Sequence, residues 1–202
     1  DNPQFIGQAH PDVRVGLDML AEWNYLAEPG SLAMTYFHVW WTILRRDESG
    51  VPRPNEIMHR LILEGAPWFR EYALQCAADT AMLLRDEYGS LNVPWGEVHL
   101  IQRGDRVESI GGSESGEPLF ATGDRLFEDG RWYAGGGSGF AMVVRLGDWP
   151  EAVSFVPFGS SEVADLPHFD DQLDFMLGRR FKRTLFHRDN IERNAESITG
   201  RR

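Results

Sequence analysis

The chain has 202 residues, of which 42% are hydrophobic and 25% are charged, and it includes seven Trp and twelve Phe. These values are typical of a folded globular protein with an aromatic core, and they exclude an intrinsically disordered chain. The formal net charge of −11 excludes a general attraction for nucleic acid or for anionic membrane surfaces, so we expect neither as a partner.

The first half of the chain has the periodicity of helices. Four helices are predicted, over residues 11–26, 32–46, 55–64 and 67–88. Ser31 is suited to be the N-cap of the second helix, and Gly89 is suited to end the fourth. The second helix is apolar on most faces, which predicts that it is largely buried.

Two side chains within these helices are candidates for chemistry. Cys76 is the single cysteine of the chain, so no intrachain disulfide can form. It lies among apolar residues on one helical face, which favours a buried and unreactive thiol over a nucleophile. His38 lies on the apolar second helix and has no second His or Cys at metal-ligand spacing, which favours a core histidine.

The second half of the chain has strand patterns punctuated by glycine. A short strand is predicted over residues 97–102, followed by loops with short strands over 103–130. The apolar runs 140–146 and 152–158 flank a Gly-Asp-Trp-Pro turn, which predicts an antiparallel hairpin. Because both runs are almost continuously apolar, we expect this sheet to be covered on both faces.

The C-terminal stretch is predicted to contain two helices and an edge strand. The helices are predicted over residues 169–177, ended by Gly178, and over 188–197, with the strand over 184–186. A group of basic residues follows the first of these helices and is typical of a solvated helix end, where cations offset the dipole. The group consists of Arg179, Arg180, Lys182 and Arg183.

The pattern changes near residue 93, which divides the chain into two predicted segments. Residues 1–93 form a helical scaffold segment, and residues 94–202 form a β-rich segment with C-terminal helices. Together they predict an α+β protein in which a helical N-terminal half is followed by mainly antiparallel strands.

No familiar catalytic or nucleotide-binding motif is present in the sequence. It contains no GxSxG nucleophile elbow, HExxH, CxxC, Walker loop or dinucleotide fingerprint. The glycine-rich stretch 135–139 resembles a phosphate-binding loop, but it lacks the following Lys and leads into a strand. A flexible β-bend is therefore the favoured interpretation.

One neighbourhood near the C-terminus allows two further interpretations. His168 with Ser160 or Ser161 and a nearby Asp allows a serine hydrolase triad, although loop hydrogen bonds and an ordered helix start are favoured. The three acidic residues that follow resemble a Ca²⁺ site by charge count, but anions are favoured in the first turns of any helix. They are Asp170, Asp171 and Asp174.

Six segments form an ordered series of motifs along the chain. They are 20–24 with 30–31 and 37–41, Trp95-Gly96-Glu97-Val98-His99, Gly111-Gly112-Ser113, 140–148, 158–161 with 167–173, and 186–192. In order and spacing they resemble the C-terminal part of the penicillin acylase family, which includes penicillin, cephalosporin and acyl-homoserine-lactone acylases. The segment 167–173 matches most closely, whereas Glu162 and Leu166 depart from the residues usual in the family.

The resemblance implies a fold and a mechanism for the assembled enzyme. The fold is an αββα sandwich of the N-terminal-nucleophile hydrolase type, formed when a precursor (zymogen) cleaves itself into a small and a large chain. The free α-amine of the large chain's first residue, usually Ser, activates its own hydroxyl to form an acyl-enzyme. The substrate is then an N-acylated small molecule of the β-lactam or acyl-homoserine-lactone type, as in antibiotic or quorum-signal degradation.

The resemblance implies that no catalytic residue lies in this chain. Asp1 is not a Ser, Thr or Cys, and the start of the chain is expected to be a processing boundary. The family-motif residues are expected to be structural; they are Trp95, Gly96, His99, Gly159, Ser160, Ser161, Pro167, His168, Asp171 and Gln172. No cofactor or metal is expected, and a structural Ca²⁺ in the parent enzyme would take its ligands elsewhere.

The resemblance also implies partners and a compartment. The partners are the other processed chains of the same precursor and a small-molecule substrate, and the location is periplasmic or secreted. This chain alone is expected to be inactive, since the nucleophile belongs to another chain or fragment. The alternative from a different class is a free-standing, non-catalytic scaffold or binding module, which a monomeric and soluble 202-residue preparation would favour.

Overall fold

The helices of the first half of the chain follow its periodicity closely. The computed structural model describes residues 11–47, 49–113 and 119–196, except for the side chains of residues 124–126. The helices are α1 (Pro11–Ala21), α2 (Leu32–Leu44), α3 (Asn55–Glu64), α4 (Pro67–Tyr88) and the single turn α5 (Trp95–Val98). The four predicted helices are confirmed, with differences at their ends.

The ends of the helices have local causes. Ser31 is the N-cap of α2, and its hydroxyl accepts a hydrogen bond from the Met34 amide at 3.1 Å. Gly89 ends α4 in the left-handed conformation, as its position predicts. The first helix stops before residue 26, because the Asn24 side chain accepts a hydrogen bond from the Leu26 amide at 3.0 Å and forms a local turn instead.

The α2 helix lies in the core, as predicted. Tyr36 is fully buried, and its hydroxyl donates to the Ala77 carbonyl of α4 at 2.8 Å. Burial raises the pKa of Tyr36 to about 12. A Cβ at Gly16 would lie 2.1 Å from the Tyr36 ring, so the absence of a side chain at Gly16 allows α1 to pack closely on α2.

Cys76 is buried, which confirms the prediction, and burial raises the pKa of its thiol.

The first strand begins two residues later than the sequence predicts. Residues 95–98 form α5, because the Glu97 amide donates to the Pro94 carbonyl at 3.0 Å and starts a turn. The strand predicted over 97–102 is therefore displaced. The first four strands are β1 (His99–Arg103), β2 (Arg106–Ser109), β3 (Thr122–Glu128) and β4 (Arg131–Gly137). They form a sheet in the order β2-β1-β4-β3, and β4 includes part of the glycine stretch predicted as a bend.

The predicted hairpin is confirmed. Strands β5 (Ala141–Arg145) and β6 (Glu151–Phe155) pair antiparallel, with Val143 opposite Val153. Strand β7 (Lys182–Thr184) adds to the other side of β6, also antiparallel.

The sheet of β5, β6 and β7 is not covered on both faces by the described residues, so that prediction is wrong for β5. Met142, Val143 and Val144 of the edge strand β5 are exposed, and so is Val153 of the central strand β6, because no described residues cover these side chains. By contrast, Ala152 and Phe155 of the central strand β6 are buried.

The C-terminal elements differ from the prediction in length or in position. Helix α6 (Leu173–Leu177) begins four residues later than the predicted helix, because His168 has a left-handed φ of 69° and the backbone turns before it can become helical. Strand β7 also lies two residues earlier than the predicted edge strand. Helix α7 (Arg188–Asn194) matches the start of the predicted helix 188–197, whose last residue lies outside the described residues.

The chain divides into two compact units. The first consists of the chain up to Leu100 with Ser109–Gly112 and Leu126–Tyr133, and the second of Ile101–Glu108, Ser113–Arg125 and Ala134–Arg202. The α+β class and the order of helices before strands are confirmed. The roles predicted for 1–93 and 94–202 stay predictions. No helix in the described part of the chain is both long enough and apolar enough to span a membrane.

Candidate functional site

The first cluster of motif residues surrounds Trp95 in the first unit. The Trp95 side chain is fully buried, and its Nε1 donates to the Gly112 carbonyl at 3.0 Å. The His99 ring stacks on it with a centroid distance of 4.4 Å, and the half-buried His38 lies 4.8 Å away on another side. His99 is itself buried, and its Nδ1 lies 2.9 Å from the Ile110 carbonyl. These contacts make the Trp-Gly-x-x-His motif part of a packed core.

The glycines of this cluster allow close backbone approach. The Gly96 amide donates to the Pro29 carbonyl at 2.7 Å, and a Cβ at Gly96 would lie 2.8 Å from the Pro29 Cβ. A Cβ at Gly111 would lie 2.6 Å from the Ala27 carbonyl oxygen. The loop between α1 and α2 therefore rests directly on both glycines, which explains physically why small residues occupy these motif positions.

The second cluster lies in the second unit, around the segment that precedes α6. The Ser161 amide donates to the His168 carbonyl at 3.0 Å, and a Cβ at Gly159 would lie 2.0 Å from that same carbonyl oxygen. Gln172 is buried, its amide donates to the Phe158 carbonyl at 2.8 Å, and its Oε1 accepts from the Val156 amide at 3.1 Å. Gln172 thus ties this segment to the chain that leaves β6.

The serine side chains of this cluster do not form a triad with His168. The His168 Nδ1 lies 2.7 Å from Asp171 and its Nε2 lies 3.1 Å from Glu196, so both ring nitrogens contact carboxylates. The Ser161 hydroxyl instead exchanges hydrogen bonds with the Val163 backbone, and Ser160 is exposed. The serine hydrolase interpretation is therefore wrong in this geometry, since a triad needs the histidine to accept from the nucleophile.

Comparison with known proteins assigns the chain to a family. Its sequence matches the family model described as penicillin amidase over residues 3–193. The chain belongs to the penicillin amidase family. No curated protein sequence matches it. Thirty-eight chains of solved structures match, among them a thermostable penicillin G acylase from Alcaligenes faecalis. That match has 18% identity and a TM-score of 0.47, and it covers 98% of this chain and 44% of the acylase chain.

This member of the penicillin amidase family has two arginines near its second cluster that the sequence motifs did not indicate. The Arg103 guanidinium lies between two rings, 4.1 Å from the Phe169 centroid and 5.2 Å from that of Phe158. It also donates to the Ser161 carbonyl at 2.8 Å and to the Phe169 carbonyl at 3.3 Å. Arg103 therefore fixes both ends of the loop between Ser161 and Phe169.

The second arginine, Arg106, pairs with two of the three acidic residues that resembled a Ca²⁺ site, and the third, Asp171, pairs with His168. The Arg106 guanidinium lies 2.5 Å from Asp174 and 3.6 Å from Asp170, and it also contacts Glu108 at 2.9 Å. These carboxylates raise the pKa of Arg106 above its ordinary value, first through the hydrogen bond with Asp174. Among the described residues, no group of three or more His, Cys, Asp or Glu side chains is placed to hold a metal. The acidic residues are thus used in ion pairs.

Arg103 gives a first testable prediction for this chain. Changing Arg103 to Ala removes two carbonyl hydrogen bonds and both ring contacts, so we expect a loss of about 1–3 kcal/mol in the free energy of unfolding. Changing it to Lys should recover less than half of that loss, because an ammonium group cannot reproduce the planar contacts. Urea unfolding followed by circular dichroism measures both.

The control for Arg103 is an arginine with only a surface partner. Arg145 pairs with Glu151 at 2.7 Å, and both side chains are exposed. Exposed pairs of this kind contribute little, so Arg145→Ala should leave the urea midpoint nearly unchanged. Equal losses from Arg103→Ala and Arg145→Ala would contradict the role assigned to Arg103.

Proposed function

We propose that this chain is the C-terminal part of the large chain of an amidohydrolase of the penicillin amidase type. The family match over residues 3–193 carries the proposal. The packing of the motif residues agrees with it, because Trp95, Gly159 and Gln172 are used in interior contacts and not in a reactive centre. The chain's contribution is then to complete the scaffold of the enzyme.

The reaction follows from the family chemistry. The hydroxyl of an N-terminal Ser on another chain or fragment adds to the carbonyl of the substrate amide. The α-amine of the same Ser takes the hydroxyl proton. The C–N bond breaks, the amine leaves with a proton, and an acyl-enzyme ester forms. Water then adds to the ester and releases the carboxylic acid and the free hydroxyl. None of these steps uses a residue of this chain.

The exposed edge strand supports the proposal that other chains of the precursor cover this one. Strand β5 presents Met142, Val143 and Val144 to solvent, and the flanking Leu146 and Trp149 are 86% and 73% exposed. An apolar, exposed edge strand is a liability in a free-standing protein. We therefore propose that another part of the same precursor lies over β5 in the assembled enzyme, in contrast to a free-standing scaffold module.

The substrate class and the compartment are proposed on the family alone. The substrate is an N-acylated small molecule of the β-lactam or acyl-homoserine-lactone type. The location is the periplasm or the outside of the cell, and maturation proceeds through autoproteolysis of an inactive precursor. Release of free amine from a panel of phenylacetyl, aliphatic-acyl and homoserine-lactone amides would distinguish these substrates.

The experiment that tests the proposal compares this chain with the complete precursor. We expect hydrolysis of an N-acyl amide only when the chain is assembled with the partner that carries the N-terminal Ser. Mass spectrometry of the co-purified partner, read from its first residue, identifies that nucleophile. A Ser161→Ala variant serves as a control and should retain full turnover when assembled. Turnover by the purified 202-residue chain alone would contradict the proposal.

A further inference from the structure

His168 connects the segment before α6 to Glu196, two residues after the C-terminal helix α7. Its Nδ1 lies 2.7 Å from Asp171 Oδ2, and its Nε2 lies 3.1 Å from Glu196 Oε2. An ionised carboxylate only accepts hydrogen bonds, and a neutral imidazole carries one N–H. Both contacts can therefore be hydrogen bonds only when His168 is the doubly protonated imidazolium.

The backbone around His168 holds the ring in place. His168 has a left-handed φ of 69°, and its carbonyl accepts from the Ser161 amide at 3.0 Å. Gly159 lies directly against that carbonyl, and the neighbouring Phe169 carbonyl accepts from Arg103. With its backbone fixed in this way, the ring cannot easily follow a partner that moves away.

The two carboxylates differ in how firmly they are held. Asp171 is three residues from His168 and its Oδ1 lies next to Gly159, so it stays near the ring. Glu196 comes after α7, a helix with no buried residue, and its side chain is 75% exposed. Among the described residues, the charged groups of this neighbourhood include Arg103, which faces backbone carbonyls, and Asp170, which faces Arg106. Loss of the ring proton should therefore release Glu196 first.

We propose that His168 is a proton-dependent clasp that fastens the C-terminal segment 188–196 to the loop before α6 when it is charged and releases it when it is neutral. The clasp is a conformational device of the second unit and does not depend on the proposed acylase activity.

The sign of the pH dependence follows from the two carboxylates. The hydrogen bond with Asp171, followed by that with Glu196, raises the pKa of His168 above its ordinary value of 6.5. A group whose pKa is raised on folding contributes fully below its unfolded value, and the contribution disappears as the pH rises through the folded value. The segment 188–196 should therefore be held most firmly below about pH 6.5 and loosen at higher pH.

Hydrogen exchange of the intact protein tests the clasp. Protection factors of peptides from 188–196, corrected for intrinsic exchange rates, should fall about two- to fivefold as the pH rises through the His168 titration, as expected for an exposed charged pair. Glu196→Gln should remove most of this pH dependence. Glu192→Gln is the matched control, because Glu192 pairs with Arg188 inside α7 and should leave the dependence unchanged.

A second measurement does not depend on the behaviour of α7. The His168 ring titration, followed by NMR, should shift to lower pH in Glu196→Gln and stay in place in Glu192→Gln. His168→Asn, which tolerates the left-handed backbone, should give segment 188–196 a pH-independent protection. Unchanged pH dependence in His168→Asn, or an unshifted His168 titration in Glu196→Gln, would overturn the clasp.

Discussion

Changing Trp95 to Ala is expected to cost about 3–5 kcal/mol of the free energy of unfolding, the range measured for deletion of a buried aromatic side chain. Trp95 is fully buried, stacks on His99 at 4.4 Å and donates to the Gly112 carbonyl at 3.0 Å. Removing the indole leaves a cavity between α2 and the loop after β2, and it leaves a buried carbonyl without its donor. A loss of this size threatens the folding of the first unit.

The measurement for Trp95 is the urea unfolding midpoint by circular dichroism, with the soluble yield as a second readout. Trp68→Ala is the matched control, because the Trp68 side chain is 54% exposed and its ring contact among the described residues is with Phe69, at a centroid distance of 5.6 Å. We expect the control to cost about 1 kcal/mol or less, as surface substitutions do. Similar losses at Trp95 and Trp68 would show that the Trp95 cluster is not a core.

Changing Gly159 to Ala is expected to destabilise the second unit by about 3 kcal/mol, at the upper end of the cost of overpacking. The added Cβ would lie 2.0 Å from the His168 carbonyl oxygen and 2.9 Å from Asp171 Oδ1. The first neighbour is backbone and is held by the Ser161 amide, so it cannot rotate away as a side chain could. Relief of the clash requires the whole segment before α6 to move.

The matched control for Gly159 is Gly139→Ala. A Cβ at Gly139 would meet nothing within 4 Å, and its φ is not in the left-handed region that favours glycine. Its unfolding midpoint should therefore stay the same or rise slightly, because alanine restricts the unfolded chain. If Gly159→Ala were as stable as Gly139→Ala, the close approach at Gly159 would have no energetic consequence.

The elements with a strong pattern could be predicted from the sequence. The second helix has a Ser N-cap and apolar residues on most faces, and both signals are local, so its position and burial follow directly. The hairpin of β5 and β6 is signalled by two apolar runs across a tight turn. The single turn Trp95–Val98 could not be predicted, because four residues have too little periodicity to compete with a strand pattern.

The motif positions could also be found in the sequence, but their physical role could not. Gly96 and Gly159 are required because other chain segments lie directly against them, and these segments are distant in sequence or approach only through the fold. The same holds for Arg103, whose partners are Phe158 and Phe169, more than fifty positions along the chain. Nothing in the sequence around Arg103 distinguishes it from a surface arginine, so tertiary contacts alone reveal it.

Because Cys76 is buried, the alkylation rate of its thiol can be used to measure local opening of the helices around it. Cys76 carries the single thiol of the chain, packed with Leu44, Met58 and Phe69. Because the nucleophile in alkylation is the thiolate, and burial both shields the sulfur and raises its pKa, a maleimide should react slowly while this helical cluster is closed. The alkylation rate then follows the local opening of α2, α3 and α4, without any engineered label.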